Sequence, residues 1–345
     1  MLNNDRTVQW GILGCARIAA TALIPGIQGS SNGEVLAVAS RDLEKAREYA
    51  RKFDIPRTYG SYEELLDDPE VQAVIVPLPN SLHREWTIKA ARRGKHVLCE
   101  KPIACSSAEA REMANACREN HVLLMEAFAQ RFHPQYATVR EWIQQGRIGK
   151  ILRISASMSR SSYPPDDIRM ASSLGGGALM DLGCYCINTA RYLIGSEPVS
   201  AFARQDIGST GVDERTSGTL YFPMGEMLQF DTNLYLDDRH FEQGCIVFGE
   251  KGSIHIPHAF SQVEILRFGR MVEAEVTLTT HLIGGDTSQT VQVGTAHQWR
   301  LEEEFFADRI LTGRPIELPG EDGVANMRAI DAVAQSAKSG RPVEV

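Results

Sequence analysis

Trp10-Gly11-Ile12-Leu13-Gly14-Cys15-Ala16-Arg17-Ile18-Ala19 ends an apolar strand, turns on small residues and opens a helix. Gly14, Ala16 and Ala19 take the three positions where a chain must turn tightly, approach a pyrophosphate and pack a helix against a strand. The phosphates would lie at the helix N-terminus, where unpaired N–H groups and the helix dipole favour negative charge. Ala16 stands where a second glycine is usual, and small residues also suit plain helix–strand packing. The surroundings of the loop decide for a dinucleotide site, with Gly14, Cys15, Ala16, Arg17 and Ile18 lining it.

Around that loop, apolar runs alternate with helical patterns from Thr7 to Ala129. Val8 to Leu13, Val35 to Ala39, Val71 to Pro77, His96 to Cys99 and Val122 to Met125 are too apolar to be half-exposed, as in parallel strands covered on both faces. Ala16 to Ile27, Leu43 to Phe53, Tyr62 to Asp67, Ser81 to Arg93 and Ser107 to Asn120 carry helical spacing. Strand and helix in alternation predict a doubly wound parallel sheet over residues 1–129.

Three further turns would reach the carboxyl edge of that sheet, where such folds bind ligands. Ser40-Arg41 ends the second strand. An NAD site usually places a carboxylate there for the ribose 2′-hydroxyl; a hydroxyl donor and a guanidinium suit the 2′-phosphate of NADP, so NADP is expected and NAD is the alternative. Asp42, next door, argues the other way. Leu78-Pro79-Asn80-Ser81-Leu82-His83 follows the third apolar strand; Ser81 can cap the next helix, and Leu78, Pro79, Asn80 and His83 can contact the nicotinamide ribose. His83 can equally be a packing histidine. Cys99-Glu100-Lys101-Pro102 ends the fourth apolar strand and projects a carboxylate and an ammonium into the crevice, with Pro102 stiffening the turn.

After Phe132 the pattern changes. A helix from Pro134 to Gln145 precedes strands at Ile151 to Met158, Val199 to Arg204, Ser217 to Phe222, Met227 to Leu234 and Cys245 to Phe248, with turns at Met224-Gly225-Glu226 and Glu250-Lys251-Gly252. Antiparallel hairpins in one open sheet are expected over residues 130–345, with helices at Gln298 to Leu311 and Val324 to Ser339. An open sheet needs its apolar face covered, which a second copy can do, so a homodimer or homotetramer is expected. Within this half, Gly175-Gly176-Gly177-Ala178-Leu179-Met180-Asp181-Leu182-Gly183-Cys184-Tyr185 opens a helix on which Asp181 and Tyr185 stand four apart on one face, with Asn188 on the same side. Leu179, Leu182, Cys186 and Leu193 take the other side.

The chain of 345 residues has a formal net charge of -8 and 43% hydrophobic residues, which gives no basic field for nucleic acid or an anionic membrane surface. A small-molecule substrate is the expected partner. No stretch is long and apolar enough to span a bilayer, and Met1 to Arg6 is polar, so a cytoplasmic location is expected. Seven scattered cysteines suggest packing thiols; Cys184 and Cys186 lack a second ligand pair, and no metal site is expected.

In combination, the glycine loop, Pro79-Asn80 with His83, Glu100-Lys101-Pro102, Glu126 to Pro134 (EAFAQRFHP) and Gly175 to Tyr185 (GGGALMDLGCY) resemble the Gfo/Idh/MocA oxidoreductase family across essentially the whole chain. The resemblance implies an α/β chain with an N-terminal Rossmann domain and a C-terminal α+β domain whose large, open, mostly antiparallel sheet oligomerises. Tyr185, where inositol dehydrogenases carry histidine, resembles the branch of glucose-fructose oxidoreductase, dimeric dihydrodiol dehydrogenase and xylose dehydrogenases. Arg169 matches a basic position before the glycine run, with a cofactor- or substrate-facing role. The implied activity is NAD(P)-dependent hydride transfer at a carbinol or carbonyl carbon of a sugar-like or trans-diol substrate. Lys101, Tyr185 and Asp181 are the implied catalytic residues. A free phenol ionises near pH 10, so Tyr185 would need the Lys101 charge to act as a base, and the two roles are interchangeable. A non-catalytic NADP-binding regulator on the same fold is the alternative; loss of the lysine or the tyrosine would have favoured it.

Overall fold

Strand β1 (Val8–Leu13) is buried along nearly its whole length. It pairs on one side with β2 (Gly33–Ala39) and on the other with β4 (Ala73–Val76). With β3 (Arg57–Tyr59), β5 (His96–Glu100) and β6 (Leu124–Ala127) they make a six-stranded, all-parallel sheet in the order β3-β2-β1-β4-β5-β6. Strand order reverses between β1 and β4, which sets a ligand crevice outside the carboxyl ends at that point. Strand β3 has no counterpart in the sequence expectation: three half-buried residues give too short an apolar signal to register. Helices α1 (Ile24–Gln28), α2 (Leu43–Phe53), α3 (Tyr62–Asp67), α4 (Asn80–Arg92) and α5 (Ser107–Glu119) fill the connections.

This computed structural model describes residues 7–161, 163–236, 242–260, 274–281 and 285–345. They form two compact units: the first gathers the chain to Ala129 together with His297–Val324, the second gathers Gln130 onward and Ala325–Val345. The return to the first unit brings the helix Gln298–Thr312 against β1 and β2, where Phe306 meets the fully buried Trp10 with ring centroids 5.8 Å apart. Burying a large apolar side chain contributes about 1.5–3 kcal/mol, so this helix is part of the first unit's core.

The same helix buries a carboxyl group. Glu303 is 1% exposed, neither of its oxygens has a hydrogen-bond partner among the described residues, and a Cβ on Gly26 would come within 2.3 Å of it. Burial, then the neighbouring Glu302, Glu100 and Glu304, push this carboxyl well above the usual carboxylate range. The folded state therefore holds a proton that the unfolded chain releases from about pH 4.3 upward, so this contribution to stability is present below that pH and declines as pH rises. Glu303→Gln removes the titration. Its melting temperature relative to the parent should climb as pH rises above about 4.3, until the folded-state carboxyl itself ionises; parallel melting curves would contradict this.

The second unit is built on a nine-stranded sheet in the order β14-β13-β12-β11-β7-β10-β9-β8-β15. Its strands are β7 (Ile151–Ser161), β8 (Ser200–Ile207), β9 (Asp213–Tyr221), β10 (Met227–Leu236), β11 (Glu242–Gly249), β12 (Gly252–Ile256), β13 (Ala274–Thr280), β14 (Thr287–Gly294) and β15 (Val343–Glu344). The β9–β10 and β11–β12 hairpins close at the expected glycine turns. One pairing departs from the expected antiparallel pattern: β7 and β10 are parallel. The chain leaves β7 through a long excursion and helix α7 (Cys184–Ile194) before β8, so β7 cannot form a hairpin and settles mid-sheet between β11 and β10.

Helices α6 (Pro134–Gln144) and α7 cover one face of this sheet, over Ile154, Met158, Leu228, Phe230 and Val247. The opposite face is more polar than an apolar surface awaiting cover. Arg215 pairs with Asp231 at 2.7 Å, Ser217 donates to the same carboxylate, and Arg153 lies 4.4 Å over Phe248. Phe202 and Tyr221 are 47% and 43% exposed among them.

Candidate active site

In the first unit, Gly14 ends β1 with φ +105°, and its N–H donates to the Ala39 carbonyl at 2.9 Å. A Cβ there would lie 3.0 Å from Leu78 and 3.5 Å from the Tyr62 hydroxyl. The positive φ favours glycine here, and Leu78 leaves little room for a Cβ, so the backbone of this turn stays open. Ala16 keeps its carbonyl on the Tyr49 hydroxyl at 2.6 Å, which ties the loop to α2. A π-helical turn, Ala19–Leu23, follows the loop; such turns cluster at functional sites. Cys15 is half-buried with its thiol 3.8 Å from the Lys45 carbonyl, and burial raises its pKa, so it is a packing thiol.

Asp42 Oδ1 accepts the N–H groups of Glu44 and Lys45 at 3.0 and 3.3 Å, capping α2. Ser40 Oγ accepts the Asp42 N–H at 3.2 Å, and Arg41 is exposed beside Tyr62, whose ionisation burial makes harder and Arg41 eases. The Asp42 carboxylate is thus engaged as the N-cap of α2.

Two expected roles change. Helix α4 begins at Asn80 after Pro79 and has no side-chain cap, so Ser81 does not cap it. His83, expected at the nicotinamide ribose, is fully buried, with Nδ1 3.0 Å from the Pro102 carbonyl and Nε2 2.8 Å from the Leu78 carbonyl. Burial holds its pKa below the ordinary value. It joins the loop after β4 to the loop after β5 and shapes the site from behind. Glu100 ends β5, and Lys101 follows, its N–H 3.3 Å from Glu100 Oε2, before a cis bond to Pro102. Gly14, Ser40–Arg41, Leu78–Asn80 and Glu100–Lys101 therefore all stand at the carboxyl edge of one sheet.

In the second unit, a π-helical turn, Leu179–Gly183, carries Asp181 and runs into α7, which carries Tyr185. Leu179, Leu182, Cys186 and Leu193 are buried as the helical spacing required. Asp181 lies 3.3 Å from the Arg169 guanidinium. Arg169 also meets Asp167 at 3.2 Å and stacks 4.8 Å over Tyr163, and Asp181 is the first cause holding its pKa high. Arg169 thus stands beside a catalytic candidate. Tyr185 lies 6.0 Å from Phe260, ring to ring. On the same helix, fully buried Asn188 accepts from Arg131 at 2.7 Å. Among the described residues no cluster of His, Cys, Asp or Glu could hold a metal ion.

The first unit matches the model of an oxidoreductase family with an NAD-binding Rossmann fold over residues 8–128, and residues 136–255 match the GFO/IDH/MocA C-terminal domain. A D-xylose 1-dehydrogenase (NADP(+)) of Haloferax volcanii is 35% identical over 339 residues, 98% of this chain and 100% of that one. A trans-1,2-dihydrobenzene-1,2-diol dehydrogenase of Xenopus laevis is 35% identical over 79% of this chain and 82% of its own. The 3-ketoreductase KijD10 of Actinomadura kijaniata, solved with NADP and TDP-benzene, superposes with a TM-score of 0.87 at 27% identity, over 96% of this chain and 98% of that one.

Proposed function

Because the chain belongs to the Gfo/Idh/MocA oxidoreductase family, we propose that it oxidises or reduces a sugar-like or trans-diol substrate with NADP, and that Tyr185 and Lys101 share the proton. It is an NAD(P)-dependent oxidoreductase. The observation that carries the reading is the set of four turns at one sheet edge, with a glycine cradle at Gly14 that a side chain would fill. Gly14 to Ile18 would hold the pyrophosphate, Ser40 and Arg41 the 2′-phosphate, and Leu78 to Asn80 with Glu100 the nicotinamide end. When bound, NADP supplies the hydride acceptor or donor. Tyr185 takes the proton from the substrate hydroxyl or returns it to the carbonyl, Lys101 stabilises the phenolate by charge, and Asp181 orients a substrate hydroxyl or Lys101. Relatives are named dehydrogenases and reductases, and both Lys101 and Tyr185 are present, so the non-catalytic alternative has nothing in its favour.

An absorbance screen of NADP reduction across aldoses and trans-diols, and of NADPH oxidation across ketosugars, tests the activity and names the substrate. Binding of NADP without turnover of any of them would sink it. The cofactor preference has its own check: Arg41→Ala should weaken NADP by about 1.5–3 kcal/mol, the worth of a hydrogen bond to a charged group, and leave NAD nearly unchanged. Equal losses for both would place Arg41 outside the 2′-phosphate site.

Exposed Phe202 and Tyr221 on the polar face of the nine-stranded sheet support association of two or four copies through that face. Phe202→Asp should lower the mass seen by light scattering without unfolding the chain. No helix among the described residues is long and apolar enough to cross a membrane, and no disulfide joins cysteines among the described residues.

A further inference from the structure

The helix that carries Asp181 and Tyr185 brings no capping side chain of its own to its first turn. The cap comes from β9 instead. Asp213 Oδ2 accepts the Leu179 N–H at 2.7 Å and the Thr216 hydroxyl at 2.6 Å, and the residue is 8% exposed. Its other oxygen faces Gly177, whose φ is +115° and where a Cβ would come within 2.0 Å of Asp213 Oδ1. Behind it, a Cβ on Gly176 would come within 2.3 Å of the Arg169 carbonyl oxygen, which already accepts the Gly177 N–H at 2.9 Å. One carboxylate and two glycines thus fix where the helix begins, and they fix the backbone of the arginine that pairs with Asp181.

We propose that Asp213 is a positioning residue for the reaction: it anchors the first turn of this helix to the sheet and thereby sets where Asp181 and Tyr185 stand. The first N–H groups of a helix need acceptors, and an anion there is favoured both by hydrogen bonding and by the helix dipole. Without it the buried Leu179 N–H, at the first residue of the π-helical turn that carries Asp181, loses its partner. A shift of 1 Å in a reacting group is enough to cost about 10²-fold in rate.

The proposal rests on Tyr185 acting in proton transfer, so Tyr185→Phe is measured alongside. Asp213→Ala should lower kcat about 10²-fold per NADP-binding site while the NADP dissociation constant stays within about twofold of the parent. Hydrogen exchange of the peptide bearing Leu179 should quicken. Asp213→Asn keeps the shape and an oxygen acceptor but gives up the charge, and should recover most of the rate, to within roughly tenfold of the parent. A purely structural role would lower the melting temperature and leave kcat per binding site unchanged, which overturns the proposal. Should Asp213→Ala fail to fold, Asp213→Ser, whose hydroxyl is too short to reach the Leu179 N–H, decides: parental kcat despite quickened exchange at Leu179 overturns the proposal, and a kcat that falls as that exchange quickens supports it. Full activity in Tyr185→Phe strikes the underlying reading; loss there with full kcat in the Asp213 variants strikes this proposal alone.

Discussion

Tyr185→Phe should fold, bind NADP as tightly as the parent, and turn over about 10²–10⁴-fold more slowly, the range lost when a positioned acid–base group is removed. The ring and its contact with Phe260 survive the change, so packing predicts almost no effect. Only the ionisable oxygen is gone. The loss should appear in kcat and kcat/KM alike, because the proton moves in the transition state and not on binding. Near-parental turnover would remove Tyr185 from the chemistry and leave it as an aromatic wall.

The fold was legible in the sequence wherever a long apolar run or a glycine turn spoke for itself. Strands β1, β2, β4, β5 and β6 are buried on both faces, and continuous apolar runs betray such strands. The three residues of β3, and the Thr- and Gln-rich β14, gave no such run. Three consecutive glutamates, Glu302 to Glu304, carry no sign of burial in sequence, yet Glu302 and Glu303 are buried. Local pattern cannot show that, because the cover comes from the rest of the first unit, more than 250 residues away in the chain by the Glu303–Gly26 approach.

Much the same division holds within the candidate site. That its turns gather at one edge of the sheet was readable because each follows a parallel strand. For His83 the sequence left a ligand contact and a packing histidine equally open; full burial, with backbone carbonyls at 2.8 and 3.0 Å, favours packing. Asp213 went unseen for a different reason. It lies 28 residues beyond Tyr185 on another element, and nothing in its own neighbourhood marks it. The one trace was Gly177, where a positive φ and a carboxylate at the site of its missing Cβ explain the third glycine of the run.

Lys101→Met, which keeps the length of the side chain and removes its charge, should cost a loss comparable to that of Tyr185→Phe, about 10²–10⁴-fold in kcat/KM. The informative quantity is the double variant. If Lys101 acts by making the Tyr185 phenolate accessible, then removing the charge after the phenol is gone removes nothing further, and the double variant should resemble the worse single one. If the two act independently, for instance with Lys101 polarising the oxygen by itself and Tyr185 only binding a neighbouring hydroxyl, the losses multiply. The pH profile separates the roles within a shared unit. With Tyr185 as the proton-transfer group, Lys101→Met should move the alkaline limb of kcat/KM upward, toward the pH of about 10 at which an unassisted phenol ionises. With Lys101 as the direct donor, Tyr185→Phe should instead leave a single residual limb that Lys101→Met abolishes. Four purified forms, with NADP binding measured separately for each, are sufficient, and fully multiplicative losses would dissolve the pair.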